Sequence, residues 1–323
     1  MELHTKELWL VRGAFLFLLA GGAVGYFDEY MIHLLIIGLI FTLLAIGQNI
    51  AFGYTGQLLL CQGAFFGIAA YSSALLVERL GMSVWVAFPM ATLGTAAFGT
   101  FVGLVASRTS GHYFAMFTMS ISIIFHQLIL NWDSLTHGAL GLRDIPRPGN
   151  LSLFSLQLAF DNKQTFLFLC ALIACVSTES INIFRGSRAG RMLMAVREDE
   201  TAAKSLGVKT TQVKVIAMTL AATFAGIAGP LYAHYRQLIS PEDFTVFQSV
   251  LILLMIIMGG SGSIAGPLIG AMVVTLLPEY LRPVADYRWL VFGTALILCV
   301  TFLPRGISGG LQTVAQRALK WKK

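Results

Sequence analysis

The sequence predicts an all-α protein, a polytopic transmembrane helical bundle of about ten spans. Only 12% of the 323 residues are charged and 56% are hydrophobic, whereas an ordinary soluble domain is about 25% charged. The mean hydropathy is +0.76. Apolar runs such as "MIHLLIIGLIFTLLAIG" recur along the whole chain, and each approaches the roughly 20 residues that a helix needs to cross a bilayer. A β-barrel would show short alternating segments instead.

The apolar runs define the predicted spans. In chain order these are residues 8–27, 30–50, 57–78, 84–106, 112–131, 165–184, 213–235, 245–258, 263–278 and 288–303. The eighth and ninth are short and only "GGSGS" separates them, so a broken or re-entrant pair is an alternative to two full spans. The N-terminal run also resembles a signal peptide; it is interpreted as an uncleaved first helix in which Arg12 reaches the interface.

The positive charges indicate the orientation of these spans. If the N terminus is placed in the cytosol, most of the 22 Lys and Arg residues fall on the cytosolic side, as the positive-inside rule requires. The C terminus is then cytosolic as well. The loop at residues 185–213, where charge is concentrated, is also predicted to be cytosolic.

Several function classes are excluded by what the sequence lacks. The four cysteines lie in apolar segments without metal-ligand spacing, which is typical of small buried residues. No histidine, serine or acidic set suggests catalysis, so no enzymatic chemistry is expected. The chain has no G-x-x-x-x-G-K-[ST] loop for ATP. The net charge of +6 comes from membrane-flanking residues and does not indicate nucleic-acid binding.

The stretch "AVREDETAAKSLGVKTTQVK", residues 195–214, is strongly charged within an apolar chain. Helical spacing predicts a short amphipathic helix over 191–206. Its apolar face contains Met192, Val196, Ala203 and Leu206, with Asp199 as a polar interruption. Such a helix between two spans is suited to dock into a groove on a soluble partner; the alternative is a solvated connector.

Local signals define the ends of this helix. Glu200 and Lys204 have the spacing of a favourable i,i+4 ion pair. Gly207 is predicted to end the helix in the left-handed conformation. Thr210 or Thr211 is predicted to cap the helix that follows.

Two glycine-rich stretches resemble each other and suggest an inverted repeat. "GYTGQLLLCQGAFFG" (53–67) and "GGSGSIAGPLIGA" (259–271) each place a glycine turn before a small-xxx-small helix start. The alternative is a set of independent helix-packing glycines. The predicted helix-break and packing residues are Gly53, Gly56, Gly63, Gly67, Gly260, Gly262, Gly266, Pro267 and Gly270.

Polar residues near the first of these breaks are candidates to line a solute pathway. They are Gln48, Asn49, Tyr54, Gln57 and Gln62. A pathway for an amphipathic solute needs a few polar groups where helices break. The alternative is that these side chains form hydrogen bonds that fix helix packing.

Several motifs, in order, resemble one family. "GRAGRMLMAVREDETAAKSLGV" is similar to the coupling loop of LivM-type permease subunits of branched-chain amino acid ABC importers. "AIGQNIAFGYTGQ" with "GAFFGIAAY" resembles the family's second and third helices, and "FAGIAGPLYAHYRQLISPEDF" and "LLMIIMGGSGSIAGPLIGA" resemble later segments. The resemblance covers residues 35–305.

The resemblance implies one transmembrane permease domain over 1–323, with the coupling loop at 185–213, in a bacterial cytoplasmic (inner) membrane. It implies a second, homologous permease, two ATPase subunits that bind ATP and Mg²⁺, and an extracytoplasmic solute-binding protein. Membrane lipid would surround the chain. The implied ATPase-coupling residues are Arg191, Val196, Arg197, Glu198, Asp199, Glu200, Ala202, Ala203 and Gly207.

The chain departs from the family pattern at two places. Importers in general carry E-A-A-x-x-x-G in this loop, whereas here Thr201 precedes the two alanines and the acid stands one position early, at Glu200. Gln62 replaces a histidine that is common in the family, and Cys61 replaces a glycine.

The function implied is ATP-driven import of branched-chain or other hydrophobic amino acids. One alternative is the same importer class carrying urea or short amides. Another is a stand-alone channel or secondary carrier; the spans contain almost no acidic residues except Glu179, which argues against proton or sodium coupling.

Overall fold

A computed structural model of the chain describes residues 11–15, 28–109, 111–149, 151–153, 156–158, 162–280, 293–294, 297, 301 and 306–310. The predicted spans at 8–27 and 288–303 fall almost entirely outside these residues.

Eleven α-helices are described in these ranges. They are α1 (Glu29–Gln48), α2 (Gln62–Leu80), α3 (Val84–Ala106), α4 (His112–Asn131), α5 (Asp133–Thr136), α6 (Lys163–Gly186), α7 (Arg188–Glu198), α8 (Glu200–Ser205), α9 (Thr210–Arg236), α10 (Val246–Gly259) and α11 (Gly266–Tyr280). Helix α1 continues as a π-helical turn, Asn49–Tyr54. Short 3₁₀ turns occur at Gly138–Leu140 and Pro241–Phe244.

The all-α membrane fold is confirmed. Among the described residues, five helices are long and apolar enough to cross a membrane: Glu29–Tyr54, Val84–Ala106, His112–Asn131, Lys163–Gly186 and Thr210–Arg236. The predicted third span at 57–78 starts too early, because α2 begins only at Gln62. The predicted short eighth and ninth spans are α10 and α11, of 14 and 15 residues.

Helix α1 lies at the centre of the bundle. It is apolar around its whole circumference, and residues such as Leu39, Ile40 and Leu43 are fully buried. A helix that is hydrophobic on every face belongs inside a bundle. It packs against α6, α9 and α11.

Helices α3 and α9 form a close pair because small residues line their interface. A methyl group added at Gly99 would lie 2.1 Å from the Ala222 side chain. Thr92 Oγ1 donates a hydrogen bond to Gly226 O at 2.9 Å. Lipid tails are as apolar as leucine, so close backbone approach and interhelical hydrogen bonds provide the attraction here.

Two ends of the bundle are distinguished by their contacts. At the α7 end, α7 and α8 lie against the π-helical turn and the start of α9. At the opposite end, Lys163 Nζ of α6 pairs with Glu29 Oε2 of α1 at 2.7 Å, and His33 Nδ1 of α1 lies 2.8 Å from Tyr235 Oη of α9. Helices α1 and α9 therefore run in opposite directions.

Two helices, α2 of 19 residues and α10 of 14, start at the same depth within the bundle. The backbone N–H of Gly63, near the start of α2, donates to Ser249 Oγ, near the start of α10, at 2.9 Å. Helix α2 runs from there to the opposite end, where Arg79 donates to Ser134 O. Helix α10 runs to the α7 end, where the next turn contacts Gly53.

Helices α2 and α10 support an inverted repeat, but one that pairs different segments from those expected. Each of them follows a long helix and a chain that turns back, so 29–80 corresponds to 210–259. The expected pairing of 53–67 with 259–271 is wrong, because 259–271 forms the turn between α10 and α11.

The chain at the opposite end is tied to the bundle by short strands and one histidine. Strand β1 (Leu142–Arg143) pairs antiparallel with β4 (Leu238–Ile239), and β2 (Leu151–Leu153) pairs with β3 (Leu156–Leu158). His234 Nδ1 donates to Pro146 O at 2.7 Å, which leaves Nε2 to accept from Ser73 Oγ at 2.9 Å.

Arg12, which is expected to reach the membrane interface, has an acidic partner. Its Nε lies 2.5 Å from Glu179 Oε1 on α6, in an ion pair. The two charges that the sequence places within apolar segments therefore compensate each other.

Candidate functional site

The charged loop folds as two short helices, α7 and α8, and the single helix expected over 191–206 is wrong. Asp199 lies between them in an extended conformation. Its Oδ1 accepts hydrogen bonds from the backbone N–H groups of Thr201 at 2.7 Å and Ala202 at 3.0 Å. An aspartate in this position caps the helix that follows it. The residue that interrupts the apolar face is therefore also the residue that divides the helix.

The inner face of the pair packs on the bundle. Val196 and Ala203 are 5% and 3% exposed, as expected for the apolar face. They belong to an apolar cluster with Ile46, Ile50, Tyr54, Ile181, Leu193, Val213, Ala217 and Phe224. Leu206 contradicts the expectation, because it is 85% exposed beyond the end of α8.

An ion pair fixes α8 to α9. Glu200 Oε1 lies 2.6 Å from Lys214 Nζ, and the Lys214 side chain is only 8% exposed. The expected pair of Glu200 with Lys204 is therefore replaced by a pair across two helices.

The chain between α8 and α9 also departs partly from expectation. Gly207 has φ +84°, which confirms its left-handed conformation. The residue before α9 is Lys209 and no side chain caps it, so the expected cap by Thr210 or Thr211 is wrong.

Arg197 connects the end of α7 to the broken part of α1. Its Nη1 donates to Gly53 O in the π-helical turn. Its aliphatic part passes over Gly56, where an added methyl group would lie 3.5 Å from Arg197 Cγ. Gly56 has φ +72°, a conformation that glycine adopts readily.

The π-helical turn is held to the turn between α10 and α11 by Asn49. Its Oδ1 accepts from Gly262 N at 2.8 Å, and its Nδ2 donates to Ser263 O at 2.9 Å. Single π-helical turns inside longer helices frequently occur at functional sites. Asn49 thus joins two chain breaks that are distant in sequence.

Two glutamines hold the chain that turns back between α1 and α2. Gln48 Nε2 donates to Leu59 O at 2.9 Å. Gln62 Nε2 donates to Ala221 O at 3.2 Å and to Leu44 O at 3.3 Å. Both side chains are fully buried. In this conformation they fix the packing of α1, α2 and α9, and their role in a solute pathway stays a prediction.

The other two pathway candidates lie nearer the α7 end. Tyr54 is 2% exposed, with the Arg185 guanidinium 5.7 Å from its ring centre. Gln57 lines a cavity of about 440 Å³ between the 55–58 loop, the 109–114 loop and residues 196–200. Lys214 also lines this cavity, which is the polar space beside the coupling candidates.

The predicted packing glycines lie at close helix contacts. A methyl group at Gly63 would lie 2.9 Å from Ser249 Oγ, and at Gly67 it would lie 2.5 Å from Phe125. At Gly266 and Gly270 it would lie 2.3 Å and 1.8 Å from backbone oxygens of the α10 segment. Pro267 is buried beside them in the first turn of α11.

The outer face of the α7–α8 segment is polar and unoccupied by the described part of the chain. Arg191, Glu198 and Ala202 are exposed on it, next to Leu206. Arg191 donates a hydrogen bond to Gly186 O, at the end of α6, at 2.7 Å. A firmly seated helix pair with an exposed charged face has the geometry of a docking element.

Sequence reasoning missed two features of this site. Lys214 is not among the predicted site residues, although its position one turn into an apolar helix marks a charge that needs a partner. Ser263 carried no signal apart from its place in "GGSGS", yet its carbonyl and hydroxyl both form hydrogen bonds there. No group of His, Cys, Asp and Glu within the described ranges could hold a metal ion.

Comparison with known proteins gives one consistent result. Residues 30–301 match a family described as branched-chain amino acid transport system / permease component. No solved structure matches the chain significantly.

Individual relatives cover most of the chain. The high-affinity branched-chain amino acid transport system permease protein LivM of Salmonella typhimurium is 31% identical over 95% of this chain and 74% of its own length. LivM of Escherichia coli K12 is 33% identical over 83% and 68%. LivH of Escherichia coli K12, also a permease of such a system, is 26% identical over 88% and 96%.

Proposed function

The chain belongs to the branched-chain amino acid transport permease family, and from that premise we propose that it is the transmembrane permease subunit of an ATP-binding cassette importer. Its solute is a branched-chain or other hydrophobic amino acid. The α7 end faces the cytosol of a bacterial cell, with both termini on that side, and the protein lies in the cytoplasmic (inner) membrane.

The proposed assembly contains four further components. A second permease pairs with this one, as the similarity to both LivM and LivH supports. Two ATPase subunits bind ATP and Mg²⁺, while this chain binds no cofactor and catalyses no reaction. An extracytoplasmic solute-binding protein delivers the solute at the opposite end. Nucleic acid has no part in this function.

One observation supports the coupling role above all others. The α7–α8 segment is seated on the bundle by Val196, Ala203 and the Glu200–Lys214 pair, while its outer face is exposed. A segment held in this way moves with the bundle when a partner pulls it. ATP hydrolysis on that partner can then shift the balance between two conformations of the permease, provided that the partner binds them with different free energies.

The solute is tested by uptake into liposomes that contain the complete importer. We expect ATP-dependent uptake of radiolabelled leucine that unlabelled isoleucine and valine reduce and that urea and acetamide do not. Competition by urea or acetamide alone would transfer the assignment to the alternative solutes. Uptake by this chain without ATPase subunits would instead indicate a channel or secondary carrier.

The docking role is tested at Leu206. A charged side chain at this exposed tip, Leu206→Arg, is expected to reduce leucine uptake at least about tenfold, because a desolvated hot-spot residue of an interface contributes about 2 kcal/mol or more. Leu206→Met is the matched control and should retain uptake. Normal uptake by a correctly inserted Leu206→Arg protein would contradict docking at this face.

A further inference from the structure

Three distant segments meet beside Arg197. They are the π-helical turn of α1, the turn between α10 and α11, and the end of α7. Asn49 bonds both Gly262 N and Ser263 O, at 2.8 Å and 2.9 Å, and Arg197 donates to Gly53 O. We name these five residues, Asn49, Gly53, Arg197, Gly262 and Ser263, the Arg197 junction.

The backbones at this junction are in direct contact. A methyl group at Gly53 would lie 2.0 Å from Asn49 Oδ1 and 2.7 Å from Gly262 N. A methyl group at Gly262 would lie 2.8 Å from Arg197 Nη1. Gly262 also has φ +79°. Because Gly53 and Gly262 have no side chains, the Arg197 guanidinium and the Asn49 amide can approach the backbone of both turns.

The two turns of the junction belong to opposite halves of the inverted repeat. Gly53 ends the long helix of the first half, and Gly262 follows α10 in the second half. A displacement of one turn relative to the other must break the hydrogen bonds of Asn49. The junction thus holds both halves together at the α7 end.

Arg197 differs in kind from the apolar contacts of α7. Leu193 and Val196 pack without a preferred direction, so they allow sliding. The guanidinium makes a charge-assisted, directional hydrogen bond to a backbone carbonyl. Its head group lies at the exposed edge of the bundle, so water replaces the carbonyl when the bond opens.

Free volume lies on the side of the junction toward which α7 and α8 can move. The cavity of about 440 Å³ is bounded by Arg197, Glu198 and Asp199 on one side and by residues 55–58 and 109–114 on the other. The cavity gives the segment room to move, and the bundle residues that pack on Val196 move with it.

We infer that Arg197 is a positioning residue that transmits movement of the α7–α8 segment to the ends of both repeat halves, so that the cytosolic side of the pathway opens and closes at the Arg197 junction. This inference rests on the proposed function, because it requires a partner that moves the segment. It gives Asn49 a role in gating through its bonds to the turn at 262–263.

The experiment uses the complete importer in liposomes and measures ATP hydrolysis and leucine uptake on the same samples. Arg197→Ala is expected to reduce uptake about tenfold, the value of one hydrogen bond to a charged group, while hydrolysis stays within about twofold of wild type. The ATP consumed per leucine therefore rises. Arg197→Lys keeps one donor for Gly53 O and should restore part of the uptake. Arg108→Ala removes the same charge from an exposed position at the α7 end, outside the α7–α8 segment, and should leave both quantities unchanged.

A second variant tests the inference independently, in case Arg197→Ala does not fold. Asn49→Ala leaves α7 intact and should also raise the ATP consumed per leucine, because the turn at 262–263 is released. The inference is overturned if both variants keep the wild-type ratio, or if uptake and hydrolysis fall in parallel, which would mean that Arg197 only holds the ATPase. Failure of the proposed function is distinguished by the absence of ATP-dependent uptake in the wild-type importer.

Discussion

Glu200 and Lys214 form an ion pair whose partners differ in their access to water. The Lys214 side chain is 8% exposed and the Glu200 side chain is 41% exposed. Glu200→Gln leaves a buried ammonium without its counter-charge, whereas Lys214→Met leaves a carboxylate that water can reach. We expect Glu200→Gln to lower the free energy of unfolding by about 1–2 kcal/mol, less than the loss of a partner in a fully buried pair, and Lys214→Met to lower it less.

Thermal unfolding of the two purified variants in detergent measures this difference. A lower unfolding midpoint for Lys214→Met than for Glu200→Gln would show that water already hydrates Lys214.

Asp199 separates two helices by capping the second. Asp199→Ala removes the acceptor of two backbone N–H groups and should destabilise α8 by about 1 kcal/mol, whereas Asp199→Asn keeps an acceptor oxygen. Hydrogen exchange of the Thr201 and Ala202 amides is the measurement. Equal protection in the alanine and asparagine variants would mean that the packing of Ala203 and the Glu200–Lys214 pair hold α8 without the cap.

Residue contacts could be predicted from the sequence only where they are local. Gly207 adopts its left-handed conformation because the helix end itself requires it. The partner of Glu200 could not be predicted, since an exposed i,i+4 pair contributes only about 0.2–0.5 kcal/mol. A nearly buried ammonium on the next helix attracts the carboxylate more strongly, and that proximity arises from the fold.

The close contact between α3 and α9 requires that Gly99 has no side chain. Gly99→Ala places a methyl group against Ala222, at 2.1 Å before any adjustment, so the helices must separate. Overpacking of this kind costs about 1–3 kcal/mol. Gly94 is on the same helix with nothing within 4 Å, so Gly94→Ala is the control and should be neutral or slightly stabilising.

The midpoints of thermal unfolding of Gly99→Ala and Gly94→Ala measure this cost; we expect a lower midpoint for Gly99→Ala. Similar midpoints would mean that the α3–α9 contact tolerates expansion.

The limits of helix prediction follow from the same physics. Helices α1, α3, α4, α6 and α9 could be located within a few residues because long apolar runs must be helical in a bilayer. The start of α2 was missed because "QLLLC" is as apolar as a helix, yet it is irregular, and its Leu59 carbonyl accepts a hydrogen bond from Gln48. Hydropathy does not distinguish a segment whose backbone groups form hydrogen bonds within a helix from one whose backbone groups bond to side chains.

For the molecule as a whole, orientation is the first testable property. Leu206→Cys lies at the α7 end and Leu140→Cys at the opposite end, and both side chains are well exposed, at 85% and 68%. In right-side-out vesicles a membrane-impermeant maleimide should label Leu140→Cys and not Leu206→Cys, and inverted vesicles should reverse this result. The unmodified protein gives the background, since Cys61 and Cys170 are buried. Labelling of Leu206→Cys from outside would contradict the proposed orientation.

The sequence suggests an inverted repeat, but the segments that correspond in the two halves could not be predicted from it. Glycine patterns mark close backbone approach, and Gly63 and Gly266 both have it. At Gly63 the neighbour is α10 of the other repeat, whereas at Gly266 it is the turn that follows α10. Close backbone approach therefore selects similar glycine patterns at two places that the inverted repeat does not relate.

The meeting of α2 and α10 at Gly63 and Ser249 has an electrical consequence. Each helix directs the positive end of its dipole toward the same mid-depth point. A potential of that sign opposes the passage of hydronium and sodium ions, as paired half-helices do in water channels. In the proposed importer, this field would disfavour the leak of cations while the protein opens for a zwitterionic amino acid.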